Sequence, residues 1–272
     1  MGYLSTDKKK ITVKTFAAMK AAGEKVTMLT AYDFTTAGII DAAGVDSILI
    51  GDSASNVMAG NADTLPITLD QMIYHARSVS RAVNHALVVC DMPFGSYQVS
   101  REEALRNACR MMKETGVDAL KLEGGVEIAD TVKALVDLGI PVHGHLGLTP
   151  QSINKFGGYG VRAKDEAEAE KLIRDAVALD KAGCFAIVLE KVPAKLAAEV
   201  SRQVRAVTIG IGAGAGCDGQ VLVYADALGM TPNFKPKFVR HFAQVGAEMT
   251  KGVEAYVEAV KAGTYPSVEE SY

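Results

Sequence analysis

The chain has 272 residues, 49% apolar and 22% charged, enough to bury the core of one large α/β domain or two small ones. A net charge of −3 leaves no basic footprint for nucleic acid or an anionic membrane surface, and no apolar run is long enough to span a bilayer. Cys90, Cys109, Cys184 and Cys217 form no CxxC pair and no secretory apolar region is present, so reduced thiols in a cytoplasmic protein are expected.

The chain opens on "MGYLST", where Gly2 and Thr6 fit an N-myristoylation pattern without the second anchoring signal that stable attachment needs. Lys8, Lys9 and Lys10 follow and read as a solvated start. Residues 1 to about 11 read as a short extension of a single domain covering 1–272.

From there, short apolar runs rich in Val, Ile and Leu recur: "VTMLTAY" (26–32), "SILIG" (47–51), "ALVVCDMP" (86–93), "ALKLEG" (119–124), "PVHGHLG" (141–147), "AIVLEKV" (186–192), "VTIGIG" (207–212) and "VLVYADALG" (221–229). They are strand-length and predict parallel strands buried on both faces. Helical patterns lie between most of them. The segment from Thr68 carries Gln71 three residues on, and that from Ser100 carries Glu103, both capping boxes; the second stops at Gly116. The segment 164–183 loads acids into its first turns and ends at Gly183, as the helix dipole favours. An apolar helix-forming stretch, 236–262, suits the outer face of the fold or a subunit contact.

Strands alternating with helices predict a single-domain (β/α)8 TIM barrel, with an open doubly wound sheet as the competing α/β architecture. The eighth unit is the weak point, because 212–220 leaves little room for a helix. The long connections 52–67 and 148–164 are rich in Gly, Asn, Ser and Pro, as functional loops often are.

The polar residues fall at one end of these strands. Strand two runs into Asp52 and Ser53, and strand three ends in Asp91. Strand four carries Lys121 and Glu123, strand five carries His143 and His145, and strand six ends in Glu190. The C-terminal ends of strands are where barrels and open sheets alike place their sites. Each residue alone has a structural reading as a cap, a neutralising pair or a hydrogen-bonded core histidine. Together they would bury many charges at one mouth, which is costly without a use.

Asp52, Asp91 and Glu123 are hard oxygen donors suited to Mg²⁺, whereas no HExxH or cysteine cluster suggests Zn²⁺. Lys121 would then hold an anionic substrate group. Glu190 would serve as a general base, its pKa raised by burial or neighbouring acids. The stretch "GIGAGAGCDG" has neither GxGxxG spacing nor a following GK[ST], so no nucleotide motif is supported.

In the segments "TAYD", "GDS", "TLPIT", "DMPFGSY", "KLEGG", "GHLGLTPQS", "FGGY", "VLEKVP", "GIGAG" and "CDGQVLV", in that order from about residue 12 to about 265, the chain closely resembles the ketopantoate (3-methyl-2-oxobutanoate) hydroxymethyltransferase family. The resemblance implies a Mg²⁺-dependent barrel in pantothenate biosynthesis. Such an enzyme moves a one-carbon unit from the co-substrate 5,10-methylenetetrahydrofolate to 3-methyl-2-oxobutanoate, giving 2-dehydropantoate and tetrahydrofolate. It places the metal carboxylates on Asp52, Asp91 and Glu123, the substrate contacts on Asp52, Ser53, Asp91 and Lys121, and the proton acceptor on Glu190. His145, on strand five, is a further candidate for supporting the metal-binding residues or relaying the proton. The resemblance also implies a homo-oligomer, often a decamer. After "FGGY" the chain departs from the family, reading "GVRAK" where a V-Q-G stretch is usual; "GNAD" (60–63) is also unusual. Two alternatives differ in what they would do. A Mg²⁺-dependent carbon–carbon lyase of the phosphoenolpyruvate mutase type would act on 2-oxo acids without folate. A catalytically silent barrel would serve only as an assembly scaffold.

Overall fold

A computed structural model describes residues 9–272. The Gly2/Thr6 pattern, Lys8 and most of the extension read over about 1–11 lie outside the described residues. Lys10 is not the free solvated charge that the basic run suggests. Its Nζ donates to the Ala86 carbonyl at 2.7 Å and pairs with Asp118 at 2.8 Å.

The chain divides into two compact units, the first ending at Leu222 and the second covering Val223–Tyr272. In the first, eight strands, β1 (Val26–Thr30), β2 (Ser47–Ile50), β3 (Leu87–Asp91), β4 (Ala119–Glu123), β5 (Val142–Gly147), β6 (Ala186–Glu190), β7 (Val207–Ile211) and β8 (Gly219–Leu222), close into a barrel in chain order. Every neighbouring pair is parallel, including β1 with β8, which rules out the open sheet.

Helices α1 (Val13–Ala22), α2 (Phe34–Ala43), α3 (Ala54–Val57), α4 (Leu69–Ala82), α5 (Arg101–Thr115), α6 (Ala129–Asp137), α7 (Ile153–Phe156), α8 (Glu166–Ala182) and α9 (Ala194–Gln203) belong to the same unit. The predicted caps explain several boundaries. Thr68 and Gln71 form a reciprocal capping box on α4. Ser100 caps α5 through the Glu103 amide without the reciprocal bond, and Gly116 ends that helix at φ 74°. Asp165 caps α8 in the same one-sided way.

The last strand differs from the sequence expectation. Only Val221 and Leu222 of the run 221–229 lie in β8; residues Tyr224–Ala227 form a short helix, α10, in the second unit. An apolar run of that length fits a buried helix turn as well as a strand, so its composition could not place the boundary. The connection 212–218 carries no helix. The second unit also holds α11, which spans Val245–Ala262 and so takes up only the C-terminal part of the expected 236–262 helix.

The N-terminal end of the barrel forms an apolar floor. Helix α1, opened by a Thr12–Thr15 capping box, lays Phe16 and Met19 against Val26, Met28, Leu49 and Leu87. Its Lys20 donates to the carbonyls of Ser201, Val204 and Ala206 at 3.1, 3.0 and 2.7 Å and pairs with Asp218 at 2.8 Å. That one cation ties α1 to the end of α9 and to the helix-free stretch before β8.

Candidate active site

Strand register brings the polar residues to the opposite end, the mouth. Asp91 stands beside Lys121, Glu123 beside His145, and Glu190 beside Gly147. Residues two apart on a strand share a face, so Lys121 and Glu123 point the same way, stacked along β4. The chain after β2 turns through Gly51, where a Cβ would stand 2.6 Å from Ser53 Oγ, into Asp52 and Ser53. Asp52, Asp91, Lys121, Glu123 and His145 are all buried. Glu190 keeps 16% of its side chain exposed, enough to be reached from the mouth.

The contacts run as one chain. The Asp52 amide donates to Asp91 Oδ2 at 3.0 Å, and Lys121 Nζ lies 3.0 Å from Asp91 Oδ1. Lys121 Nζ is also 3.1 Å from His145 Nδ1, which is 3.2 Å from Glu123 Oε1. On the other edge of the ring, His145 Nε2 lies 3.3 Å from Glu190 Oε2. Ser53 Oγ bonds the Tyr32 hydroxyl at 2.7 Å. The ion partner of Lys121 is thus Asp91 across the strands, not Glu123 on its own strand.

Burial dominates the electrostatics. It raises the Asp52 pKa well above the carboxylate range, reinforced by the charges of Asp91 and Glu123. It raises Glu123 to about 7, against the opposing pull of Lys121 and with a push from Asp91. For Lys121, burial favours the neutral amine, but Asp91, Glu123 and Asp52 outweigh it and hold the ammonium firmly charged. Burial and then Lys121 lower the His145 pKa, while Glu190 works the other way, so the imidazole is neutral near pH 7.

His143 does not join this group. It is fully buried two residues nearer the floor, its ring centroid 5.5 Å from that of Phe185, and neither ring nitrogen has a hydrogen-bond partner. The sequence groups the two histidines as a pair; only His145 reaches the mouth.

Two groups at the mouth lie outside the sequence-predicted set, Tyr97 and Gln151. The Tyr97 hydroxyl accepts from the Glu123 amide at 3.0 Å, and the Gln151 amide donates to Glu123 Oε2 at 2.9 Å. Both residues lie in segments singled out by motif, "DMPFGSY" and "GHLGLTPQS", but uncharged side chains on loops gave no signal of a role.

A cavity of ≈ 380 Å³ opens beside Glu123 and is lined by Phe94, Phe156, Lys155, Arg162 and Lys171 among others. Arg162 belongs to the divergent "GVRAK" stretch. It stacks over the Phe156 ring at 4.2 Å and pairs with Glu168.

The mouth can be tested for a metal on its own donors. No group of three or more described His, Cys, Asp and Glu side chains is close-set enough to hold an ion by itself. Yet the buried Asp91 Oδ1 faces the Lys121 ammonium at 3.0 Å and the buried Glu123 Oε1 faces His145 Nδ1 at 3.2 Å, in a site where the pKa values of Asp52 and Glu123 are raised. Those are the donor type and the charge balance that suit Mg²⁺, a hard cation that keeps several waters and takes only one or two carboxylates.

A family model described as Ketopantoate hydroxymethyltransferase matches residues 10–268. The chain is 60% identical over 272 residues to the 3-methyl-2-oxobutanoate hydroxymethyltransferase of Christiangramia forsetii, covering 100% of both chains. It is 59% identical over 271 residues to that of Phocaeicola vulgatus, covering 100% of this chain and 99% of the relative. Among solved structures it is similar in fold to 2,3-dimethylmalate lyase, a PEP mutase/isocitrate lyase superfamily member. The TM-score is 0.58 at 15% identity, over 96% of this chain and 91% of that one.

Proposed function

Because this chain belongs to the ketopantoate hydroxymethyltransferase family, we propose that its barrel mouth performs the transfer with Asp52, Asp91 and Glu123 as Mg²⁺ carboxylates and Glu190 as the base. The chain is a transferase that hydroxymethylates 3-methyl-2-oxobutanoate. Relatives at 59–60% identity over the whole chain favour that reaction over the lyase alternative.

Bound there, Mg²⁺ would act as a Lewis acid toward the 2-oxo group. Lys121, held charged by the surrounding acids, binds the substrate carboxylate together with Ser53. Glu190, the one acid of the set with part of its side chain open, takes the proton from C3. Neutral His145, 3.3 Å from Glu190, holds that carboxylate in place and provides a path for the proton. The enolate carbon forms the new C–C bond to the methylene carbon of 5,10-methylenetetrahydrofolate, and water supplies the hydroxyl oxygen; both C–N bonds to that carbon break with their electron pairs left on the folate nitrogens, which take up the C3 proton and the water proton to give tetrahydrofolate. The cavity beside Glu123 has two phenylalanines and Lys155 on its wall, with Arg162 and Lys171 paired to Glu168 and Asp175 of the same wall, and we assign the flat ring of the folate to its phenylalanines.

The observation that carries this reading is the cluster of buried carboxylates Asp52, Asp91 and Glu123 around one firmly charged ammonium, Lys121. C3 proton exchange of 3-methyl-2-oxobutanoate in heavy water, without folate, tests it. Exchange is expected with Mg²⁺ and lost in EDTA. Asp91→Ala should lose it by about 100-fold or more while still folding. Exchange in Asp91→Ala at the wild-type rate and Mg²⁺ dependence would refute the assignment.

The reading extends to a cytoplasmic homo-oligomer, a decamer. No helix among the described residues is long and apolar enough to cross a membrane, and Met249, Val253, Tyr256 and Val260 on α11 are exposed in the single chain. A monomer by light scattering at micromolar concentration would contradict the oligomer.

A further inference from the structure

Gln151 is 7% exposed and sits in the 3-10 turn Pro150–Ser152 that follows β5. Its backbone amide donates to Glu123 Oε2 at 2.9 Å. Its side-chain Nε2 donates to Asp52 Oδ2 at 2.9 Å and to the Met92 carbonyl at 3.0 Å. Its Oε1 accepts from the Tyr97 hydroxyl and from Gln98 Nε2, each at 2.8 Å. The orientation of the amide is therefore fixed. Turned over, its oxygen would face a carboxylate and a carbonyl, both acceptors, and its NH₂ would face the Gln98 NH₂.

One residue thus grips two carboxylates that arrive from different strands, Asp52 after β2 and Glu123 at the end of β4. It occupies one oxygen of Glu123, Oε2, and leaves Oε1 facing His145 Nδ1 at 3.2 Å. Tyr97 secures the arrangement from the other side, accepting from the Glu123 amide at 3.0 Å while reaching Gln151 Oε1. Buried carboxylates of like charge repel, and with the cation absent their separation must be held by neutral donors.

We infer that Gln151 is a positioning residue that sets the spacing and orientation of Asp52 and Glu123 for the cation, with Tyr97 fixing its amide. The inference rests on the reading of those acids as the Mg²⁺ site. Gln151→Met keeps the length of the side chain and the backbone bond to Glu123 but removes the donor to Asp52.

Titration calorimetry of Mg²⁺ into metal-free wild type, Gln151→Met and Tyr97→Phe tests it, alongside thermal melting of the same metal-free samples. Groups that orient metal ligands are worth about 10- to 100-fold in affinity. Gln151→Met should bind Mg²⁺ weaker by that factor with little change in the metal-free melting temperature, and Tyr97→Phe should weaken binding less, in the same direction. Wild-type Mg²⁺ affinity in Gln151→Met, whatever its melting temperature, would overturn the inference. If Gln151→Met does not fold, Tyr97→Phe decides by the same affinity criterion. A wild type that binds no Mg²⁺ would overturn the metal reading itself and this inference with it.

Discussion

The two ends of the barrel are built from the same eight strands and solve opposite problems. At the floor, Phe16 and Met19 of α1 fill the opening with apolar surface, and Lys20 beside them is used by three carbonyls and Asp218. At the mouth, acids, an ammonium and an imidazole are buried in contact, Lys121 against Asp91 and His145, and His145 against Glu123 and Glu190. A chain selected only for stability would not keep the second arrangement, because taking several charges out of water costs more than their mutual pairing returns. The contrast assigns stability to the floor and chemistry to the mouth. It predicts that substitutions at the two ends affect different observables.

The largest effect is expected at the floor. Phe16→Ala removes a fully buried ring and should destabilise the protein by about 3–5 kcal/mol in denaturant titrations. The exchange rate per folded molecule should stay at the wild-type value. A matching fall in specific activity would show that the floor is coupled to the mouth and blur the comparison.

The next effect is opposite in sign and lies at the mouth. Glu123 titrates at about 7 folded against an ordinary 4.5, so the folded state holds a proton that the unfolded state has already lost. Its contribution is fully present below about pH 4.5 and drains away as pH rises toward 7, by roughly 3 kcal/mol in metal-free protein. Glu123→Gln cannot ionise. In EDTA it should gain stability over wild type progressively across that window while losing Mg²⁺-dependent exchange. A stability difference independent of pH would mean that Glu123 is not a strained carboxylate.

A smaller effect separates His143 from the mouth. Burial, followed by the charges of Lys121 and His145, lowers its pKa. It is therefore neutral when folded, and its contribution is lost as pH falls below about 6.5, where the unfolded chain takes up a proton. His143→Leu removes two buried nitrogens that have no partner and should stabilise by about 1–2 kcal/mol. That advantage should grow under acid, measured by thermal melts from pH 7.5 to 5. Loss of exchange in this variant would place His143 in the chemistry after all.

Much of this contrast was legible in the sequence, and the reasons it was not all legible are physical. Charges interrupting apolar runs are conspicuous, so Asp52, Asp91, Lys121, Glu123, His145 and Glu190 stood out, and their strand-end positions followed from the length of each run. The alternation of strands with helices points to a parallel α/β sheet, and the choice of a closed barrel over an open sheet is decided by the β1–β8 pairing. Register does not follow, because it is set by pairing between strands; so the sequence shows neither the pairing of Lys121 with Asp91 nor the separation of His143 from His145. The start of β8 was misplaced because the run 221–229 suits a strand and a helix turn equally. Gln151 and Tyr97 were missed because neutral side chains on loops stand out only when the groups they bond are placed in space. The plug formed by α1 was missed for a similar reason: its ten residues bury only Phe16 and Met19, too few to show as a periodic apolar stripe.

The claim that the mouth performs the chemistry is tested most directly at Glu190, by C3 proton exchange of 3-methyl-2-oxobutanoate with saturating Mg²⁺ in wild type and Glu190→Gln. The substitution keeps the shape and removes the proton acceptor. The variant should fold, bind substrate and Mg²⁺, and exchange slower by about 100-fold or more, the usual share of general-base catalysis. Exchange at the wild-type rate in the folded, substrate-bound variant would contradict the account and move the base to another residue.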